Sequence, residues 1–386
     1  MLRYLPLVLK NCWRNRRRTI LTVASIGISM CLLGVMIAMF HAFYLSNPTP
    51  AQALRLVTRN RVSFTVFIPR GYQAQIEHVP GVESISVANW FGGVYKDDRD
   101  PKNNFARFAV EPEKLFRIFG EYSIPEDQRK AFERERTACV VGRDLANIFH
   151  FQVGDRINIS GTVFPGNYEF TVRGIFDSPR SSQIMYFNNE YLEQTLNEGR
   201  RGNVIMYYIL IDNPTNSARI AKAIDALFAN STAQTKTESA QAFAVAFLAL
   251  LGNIKMFLIG ISAAVMFTIL LVSANTMAMS VRERVREVGI LKTLGFTPSS
   301  ILGMILGEAC AISIAGGAIG YLISTLLMRV VVKSPFGAYL PPIQAIELPV
   351  ALACIATAGA IGLISSLVPA LNASRTSIVE ALRSTD

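Results

Sequence analysis

Ionisable side chains are scarce in this sequence: Asp, Glu, Lys and Arg make up 17% of 386 residues. A soluble chain of this length carries roughly a quarter of its residues as those four types, so part of this one is solvated by something other than water. Histidine is scarcer still. His41, His78 and His150 stand far apart, with no H-E-x-x-H or Cys/His spacing of the kind that holds zinc. The five cysteines, Cys12, Cys31, Cys139, Cys310 and Cys354, form no C-x-x-C pair, and only Cys139 lies in the polar part of the chain. No disulfide within the chain is expected there, and packing is their expected role.

Catalytic signatures are missing as well. There is no G-x-x-x-x-G-K-[ST] loop to cradle phosphates and no G-x-S-x-G turn to present a nucleophile. Any ATP is expected to be hydrolysed by another protein, so the chain is not expected to be an enzyme. The long apolar runs carry almost no charge, whereas a carrier driven by ions needs paired charges near the membrane midplane. Glu308 is the one acidic exception, in the early turns of the third run.

What the sequence has in abundance is apolar length. Hydrophobic residues make up 51% of it, and four runs, at 19–44, 254–279, 301–332 and 348–371, reach the roughly 20 residues that a spanning helix needs. The formal charge of +10 gathers where it fixes topology and not on a nucleic-acid face. Arg3, Lys10, Arg14, Arg16, Arg17 and Arg18 precede the first run, while Arg282, Arg284, Arg286 and Lys292 follow the second. Short basic segments stay in the cytoplasm, so both termini and the 282–292 loop are expected there. The loop at 334–346 and the polar stretch after the first run are then expected outside. The first run is too long for a signal-peptide core and lacks a cleavage site, which makes it an anchor. Residues 1–15 alternate basic and apolar positions in a way that suits a helix lying on lipid headgroups.

Between the first two runs the pattern changes to short segments separated by turn formers, an α+β region. Strands are expected at 61–68, 82–87, 105–110, 156–159, 168–175 and 204–211, and helices at 113–119 and 217–229, with a charged, exposed stretch at 126–136. From 241 to 255 the chain becomes apolar without a turn former, predicting one stiff helix running into the second span. Past that span the chain is charged but still helical in pattern up to Gly295. Val281, Val285 and Val288 share one face and Arg282, Glu283, Arg286 and Glu287 the other. Thr297-Pro298-Ser299 then starts the next helix.

The segment Arg282-Glu-Arg-Val-Arg-Glu-Val-Gly-Ile-Leu-Lys-Thr-Leu-Gly295 resembles the R-x-R-E-I-G-x-x-[KR]-A-x-G motif of FtsX-like and MacB-type ABC transporter permeases, the type VII group. Pro369-Ala-Leu-Asn-Ala-Ser-Arg375 and Ile378-Val-Glu-Ala-Leu-Arg383 resemble that family's closing motifs, with Ser377 where a proline is usual. Val79-Pro-Gly-Val82, Phe108-Ala-Val-Glu-Pro112, Cys139-Val-Val-Gly-Arg-Asp-Leu-Ala146 and Val153-Gly-Asp-Arg-Ile-Asn-Ile159 follow the order of the family's periplasmic core domain.

The resemblance implies a membrane α-helical fold of four transmembrane helices with an α+β extracytoplasmic domain inserted between helices 1 and 2. The expected divisions are an interfacial helix at 1–18, the first span at 19–45, core domain and stalk at 46–248, and a permease domain at 249–386 with its coupling loop at 280–298. It implies a permease of the bacterial inner membrane that couples hydrolysis by a separate ATPase, present in two copies and holding ATP and Mg, to periplasmic movement. The cargo would be a hydrophobic, peptide or lipid-linked substrate. Arg282, Glu283, Arg286, Glu287, Gly289, Leu291, Lys292 and Gly295 are the implied ATPase-coupling residues. Pro369, Arg375, Glu380, Leu382 and Arg383 form the cytoplasmic tail motif. Gly316, Gly317 and Gly320 would let another helix approach closely, as in a homodimer or heterodimer of permeases. A periplasmic adaptor is compatible with this scheme. The alternative is an FtsX-type signalling scaffold that activates an extracytoplasmic partner without transport.

Overall fold

The computed structural model describes residues 16–45, 49–97, 99–100, 103, 105–179, 182–250, 253–333 and 348–378. Residues 1–15 of the expected interfacial helix at 1–18, the loop at 334–346 and Glu380, Leu382 and Arg383 of the tail lie outside the described residues, and residues 16–18 begin the first long helix. The chain forms two compact units, one of residues 1–46 and 252–386, the other of residues 47–251. The first unit opens with α1 (Arg16–Phe40), whose last turn widens into a π-helical segment at His41–Leu45.

The inserted unit is α+β. Its strands are β1 (Arg55–Asn60), β2 (Ile68–Pro69), β3 (Val82–Trp90), β4 (Val94–Tyr95), β5 (Ala106–Val110), β6 (Ala138–Gly142), β7 (Arg156–Gly161), β8 (Gly166–Phe176), β9 (Ile184–Asn188), β10 (Asn203–Val204), β11 (Met206–Ile211) and β12 (Thr235–Ser239). Ten of them form one mixed sheet in the order β12-β1-β11-β3-β5-β9-β6-β8-β7-β4, and β2 pairs with β10 apart from it. Helices α2 (Pro50–Ala53), α3 (Tyr72–Glu77), α4 (Pro112–Ile118), α5 (Glu126–Arg134), α6 (Arg143–Phe149), α7 (Asn189–Thr195), α8 (Ser217–Leu227) and α9 (Ala240–Leu250) connect and cover the strands.

Aromatic side chains dominate the core of this unit. Phe91 meets Tyr168 and Phe187 edge-on at ring-centroid distances of 4.8 and 5.2 Å, the geometry that sets the positive edge of one ring against the negative face of another. The charged stretch at 126–136 is a helix, α5, whose single buried side chain, Phe132, pins it to the sheet. β12 is held by Asp225 of α8, whose carboxylate accepts from Thr235 Oγ1 (3.0 Å), Thr237 N (3.0 Å) and Thr237 Oγ1 (2.8 Å).

Two of the expected strands differ in this unit. Residues 61–67 are not a strand, because local side chains capture the backbone: Asn60 Oδ1 accepts from Val62 N at 2.9 Å and Ser63 Oγ from Thr65 N at 3.2 Å. Turns of this kind compete with the sheet ladder. The expected strand at 204–211 is also split, since Ile205 N donates to Asn89 Oδ1 (2.7 Å) and leaves the ladder between β10 and β11.

In the other unit, α10 (Ile254–Arg282), α11 (Val285–Thr293), α12 (Pro298–Lys333) and α13 (Leu348–Arg375) follow. With α1, helices α10, α12 and α13 are long and apolar enough to cross a membrane, four in all among the described residues. The expected continuous helix through 241–255 is absent: α9 ends at Leu250, and α10 restarts behind Asn253, whose side chain accepts from Met256 N as an N-cap. Asn favours capping over helix continuation because its amide competes for backbone hydrogens.

Within the bundle, α12 packs against both α1 and α13, and α10 lies against α13 and α1. Close approach depends on small residues. A Cβ built on Gly316 would stand 2.7 Å from Ile26 Cγ2, one on Gly317 2.5 Å from Ala358 Cβ, and one on Gly320 2.6 Å from the Gly27 carbonyl oxygen. The three glycines thus seat α12 on α1 and α13 of the same chain. A buried pair of hydroxyls, Ser273 and Ser365, joins α10 to α13 at 2.7 Å.

Candidate functional site

Past the last turn of α10 the chain bends. Glu283 closes the helix with its N–H on the Met279 carbonyl, and Arg284, at φ −111° and ψ 8°, leaves helical geometry before α11 begins at Val285. Continuous helix up to Gly295 was expected, so the bend is a correction. It has a tertiary cause: Arg284 Nη1 reaches Glu308 Oε2 of α12 at 2.6 Å, with both side chains largely buried. Removing one partner of such a pair strands a buried charge, which costs about 3–5 kcal/mol.

The far end of α11 closes on a Schellman motif. Phe296 N donates to Leu291 O and Gly295 N to Lys292 O, both at 3.1 Å, with Gly295 at φ +88°. That backbone conformation suits glycine because a Cβ would crowd the neighbouring carbonyl. Thr297 then caps α12 by accepting from Ser300 N at 3.3 Å, with Pro298 as the first helical residue.

A nine-residue helix has little stability of its own, and α11 is held by what it touches. Val288 and Gly289 are buried against the bundle, and Lys292 Nζ donates to the carbonyl of Thr376, directly after the last turn of α13. An ammonium at that position satisfies an orphan carbonyl and opposes the negative end of the helix dipole. Between α10, α11 and α12 lies a small cleft of about 70 Å³ whose polar lining includes Arg284, Glu287 and Glu308 and whose apolar lining includes Met277, Leu291 and Met304.

The eight residues singled out from the sequence therefore divide. Arg282, Glu283, Arg286 and Gly295 are exposed. Glu287 and Leu291 line the cleft, Gly289 is buried, and Lys292 is turned inward to α13. Sequence reasoning missed the apolar part of the exposed face, where Ile290 and Leu294 are 48% and 70% accessible. It also left Arg284 out. Glu308, an acid inside an apolar run, was the available signal for a basic partner nearby. In the tail motif, Pro369 lies inside α13 and Arg375 is its exposed last residue. No group of three or more His, Cys, Asp or Glu able to hold a metal occurs among the described residues.

Outside the bundle, Cys139 is fully buried on β6, and burial pushes its thiol pKa well above the ordinary value. Asp177 is held below its usual carboxylate range by hydrogen bonds from Arg143 at 2.9 and 3.1 Å, on an exposed face of the α+β unit.

Comparison with known proteins places these features in a family. Residues 19–227 match the MacB-like periplasmic core domain and residues 259–378 the FtsX-like permease C-terminal domain. An uncharacterized ABC transporter permease of Methanocaldococcus jannaschii is 26% identical over 345 residues, covering 83% of this chain and 82% of that protein. The macrolide export ATP-binding/permease protein MacB of Shewanella oneidensis is 35% identical over 108 residues, which are 28% of this chain and 16% of that longer protein. The crystal structure of the periplasmic region of MacB from Actinobacillus actinomycetemcomitans aligns at a TM-score of 0.37 and 10% identity, over 49% of this chain and 90% of that one. With one domain model covering more than half of its length and a second covering the later spans, the chain belongs to the FtsX-like, MacB-type family of ABC transporter permeases.

Proposed function

We propose that this permease is the mechanical membrane subunit of an export system, in which a separate ABC ATPase pushes on the exposed face of α11 and the bundle carries the displacement to the inserted α+β unit. The observation that carries this reading is the two-sidedness of α11. Its inner side is buried and tied to the bundle, while its outer side, with Arg282 and Glu283 just before it, presents Arg286, Ile290 and Leu294 to solvent. Mixed charge around exposed apolar side chains is the composition of a docking surface, the apolar residues supplying affinity and the charges register.

In this scheme two ATPase copies hold ATP and Mg and face two permeases, identical or related, in the inner membrane. The termini and α11 lie on the cytoplasmic side, in keeping with the basic residues there. Export is favoured over signalling because the relatives that match the permease part include proteins named for macrolide and pyoverdine export. The cargo class is hydrophobic, peptide or lipid-linked. Arg282→Glu combined with Arg286→Glu should weaken copurification of the ATPase about tenfold or more at low salt. Wild-type association and stimulation of ATP hydrolysis in that variant would remove the basis of the proposal.

A further inference from the structure

Two charged residues of the coupling segment do not point outward. Arg284, at the bend, bonds to Glu308 of α12 at 2.6 Å, and Lys292, near the other end of α11, donates to the carbonyl of Thr376, the residue directly after α13. Each tie runs to a different membrane helix, and each lies at an opposite end of a helix too short to be rigid by itself.

We infer that Arg284, Glu308 and Lys292 are positioning residues that make α11 move as one body with α12 and α13, and that Lys292 is not an ATPase contact. The inference rests on the coupling role proposed above and adds how force leaves the helix. A displacement delivered to Arg286 or Ile290 can either rotate α11 on its two hinges, Arg284 and Gly295, or move the helices beneath it. Both hinges have backbone geometry outside the helix, at ψ 8° and φ +88° respectively. Rotation about the hinges would break the largely buried Arg284–Glu308 ion pair inside a mostly apolar cleft, where losing it is costly. Translation of α12 and α13 keeps both ties, so it is the lower-energy response.

Burial of Val288 and Gly289 alone would not select between these responses, because apolar contact is non-directional and tolerates sliding. The ion pair fixes direction. Lys292 fixes the second point, and two fixed points on different helices define a lever.

The test uses the full-length permease in detergent and deuterium exchange over residues 285–293. Arg284→Gln and Glu308→Gln should each speed exchange there about tenfold, and the reversed pair, Arg284→Glu with Glu308→Arg, should return it to near the wild-type rate. With the ATPase added, the single variants should still bind it but lose most of the stimulated hydrolysis, and the reversed pair should recover it. Wild-type exchange in the single variants, or a reversed pair as fast as they are, overturns the inference. So does a loss of stimulation no greater than the loss of binding. If the wild-type permease recruits no ATPase, the coupling reading fails, and the exchange experiment alone decides whether the ties hold α11.

Discussion

Replacing Gly320 by alanine probes the seam between α1 and α12 with one methyl group. That methyl would stand 2.6 Å from the Gly27 carbonyl oxygen, 2.7 Å from Met30 Cβ and 2.8 Å from Cys31 N. All three atoms are backbone or the first atom of a side chain, so no rotamer change makes room. The helices must separate by about 0.5–1 Å, a gap that forfeits a quarter to a half of the dispersion attraction along the seam. Overpacking of this kind costs about 2–3 kcal/mol. Alanine also gains about 0.5–1 kcal/mol over glycine inside a helix, and that gain must be removed from the comparison. Gly260 of α10 supplies the reference, because a Cβ there meets nothing within 4 Å. Gly260→Ala should therefore stabilise, Gly320→Ala should destabilise, and the two should differ by about 2–3 kcal/mol, roughly a 30- to 150-fold difference in the unfolding equilibrium. Reversible unfolding of the permease in mixed detergent and dodecyl sulfate micelles, followed by far-ultraviolet circular dichroism, measures the difference. Equal midpoints for the two variants would refute the packing argument. A Gly320→Ala protein with an unchanged midpoint but a weakened dimer would assign the glycine to a second copy.

Two further predictions concern smaller features. Gly295→Ala forces a Cβ into the left-handed region at φ +88°, so it should cost about 1 kcal/mol of local stability and speed opening of α11 about fivefold by hydrogen exchange. An unchanged exchange rate would mean that the Schellman turn does not limit the helix. Cys139 is fully buried with its thiol pKa raised, so a maleimide should leave it unlabelled in the native protein at neutral pH and modify it only after denaturation. Rapid native labelling would show that the β6 region opens.

The elements that sequence reasoning located are those whose cause is local. Four helices were legible because a bilayer demands a run of apolar residues of fixed length, and the stop at Gly295 because the left-handed conformation there selects glycine. Alternation found β3, β5, β7, β8 and most of β11, while β6 and β9 stayed unassigned as strands because both their faces are covered. The runs Ala138–Gly142 and Ile184–Asn188 are almost wholly buried and so do not alternate. The error at 61–67 has the opposite origin. Val62, Phe64 and Val66 do alternate, yet Val62 is 85% exposed because Asn60 and Ser63 capture nearby backbone N–H groups before a ladder can form.

At the candidate site the limit was of another kind. Sequence spacing can say that Arg282, Arg284 and Arg286 lie near one another, but only the fold says which of them turns inward. In an unbroken helix, Arg282 and Arg286 would share a face and Arg284 would lie well away from it. The break at Glu283–Arg284 removes that register, and the partner that makes the break worthwhile, Glu308, is 24 residues further along the chain. A buried acid in an apolar span needs a basic partner, so Glu308 carried the information that one of three arginines was committed to it. Choosing among them required the position of α12 relative to the end of α10, which the turn at Gly295 and the N-cap at Thr297 set only once the whole segment is folded. The residues that face a partner are thus found by subtracting those already engaged within the chain. By that subtraction Lys292 and Arg284 leave the proposed docking face, while Ile290 and Leu294 join Arg282 and Arg286 on it.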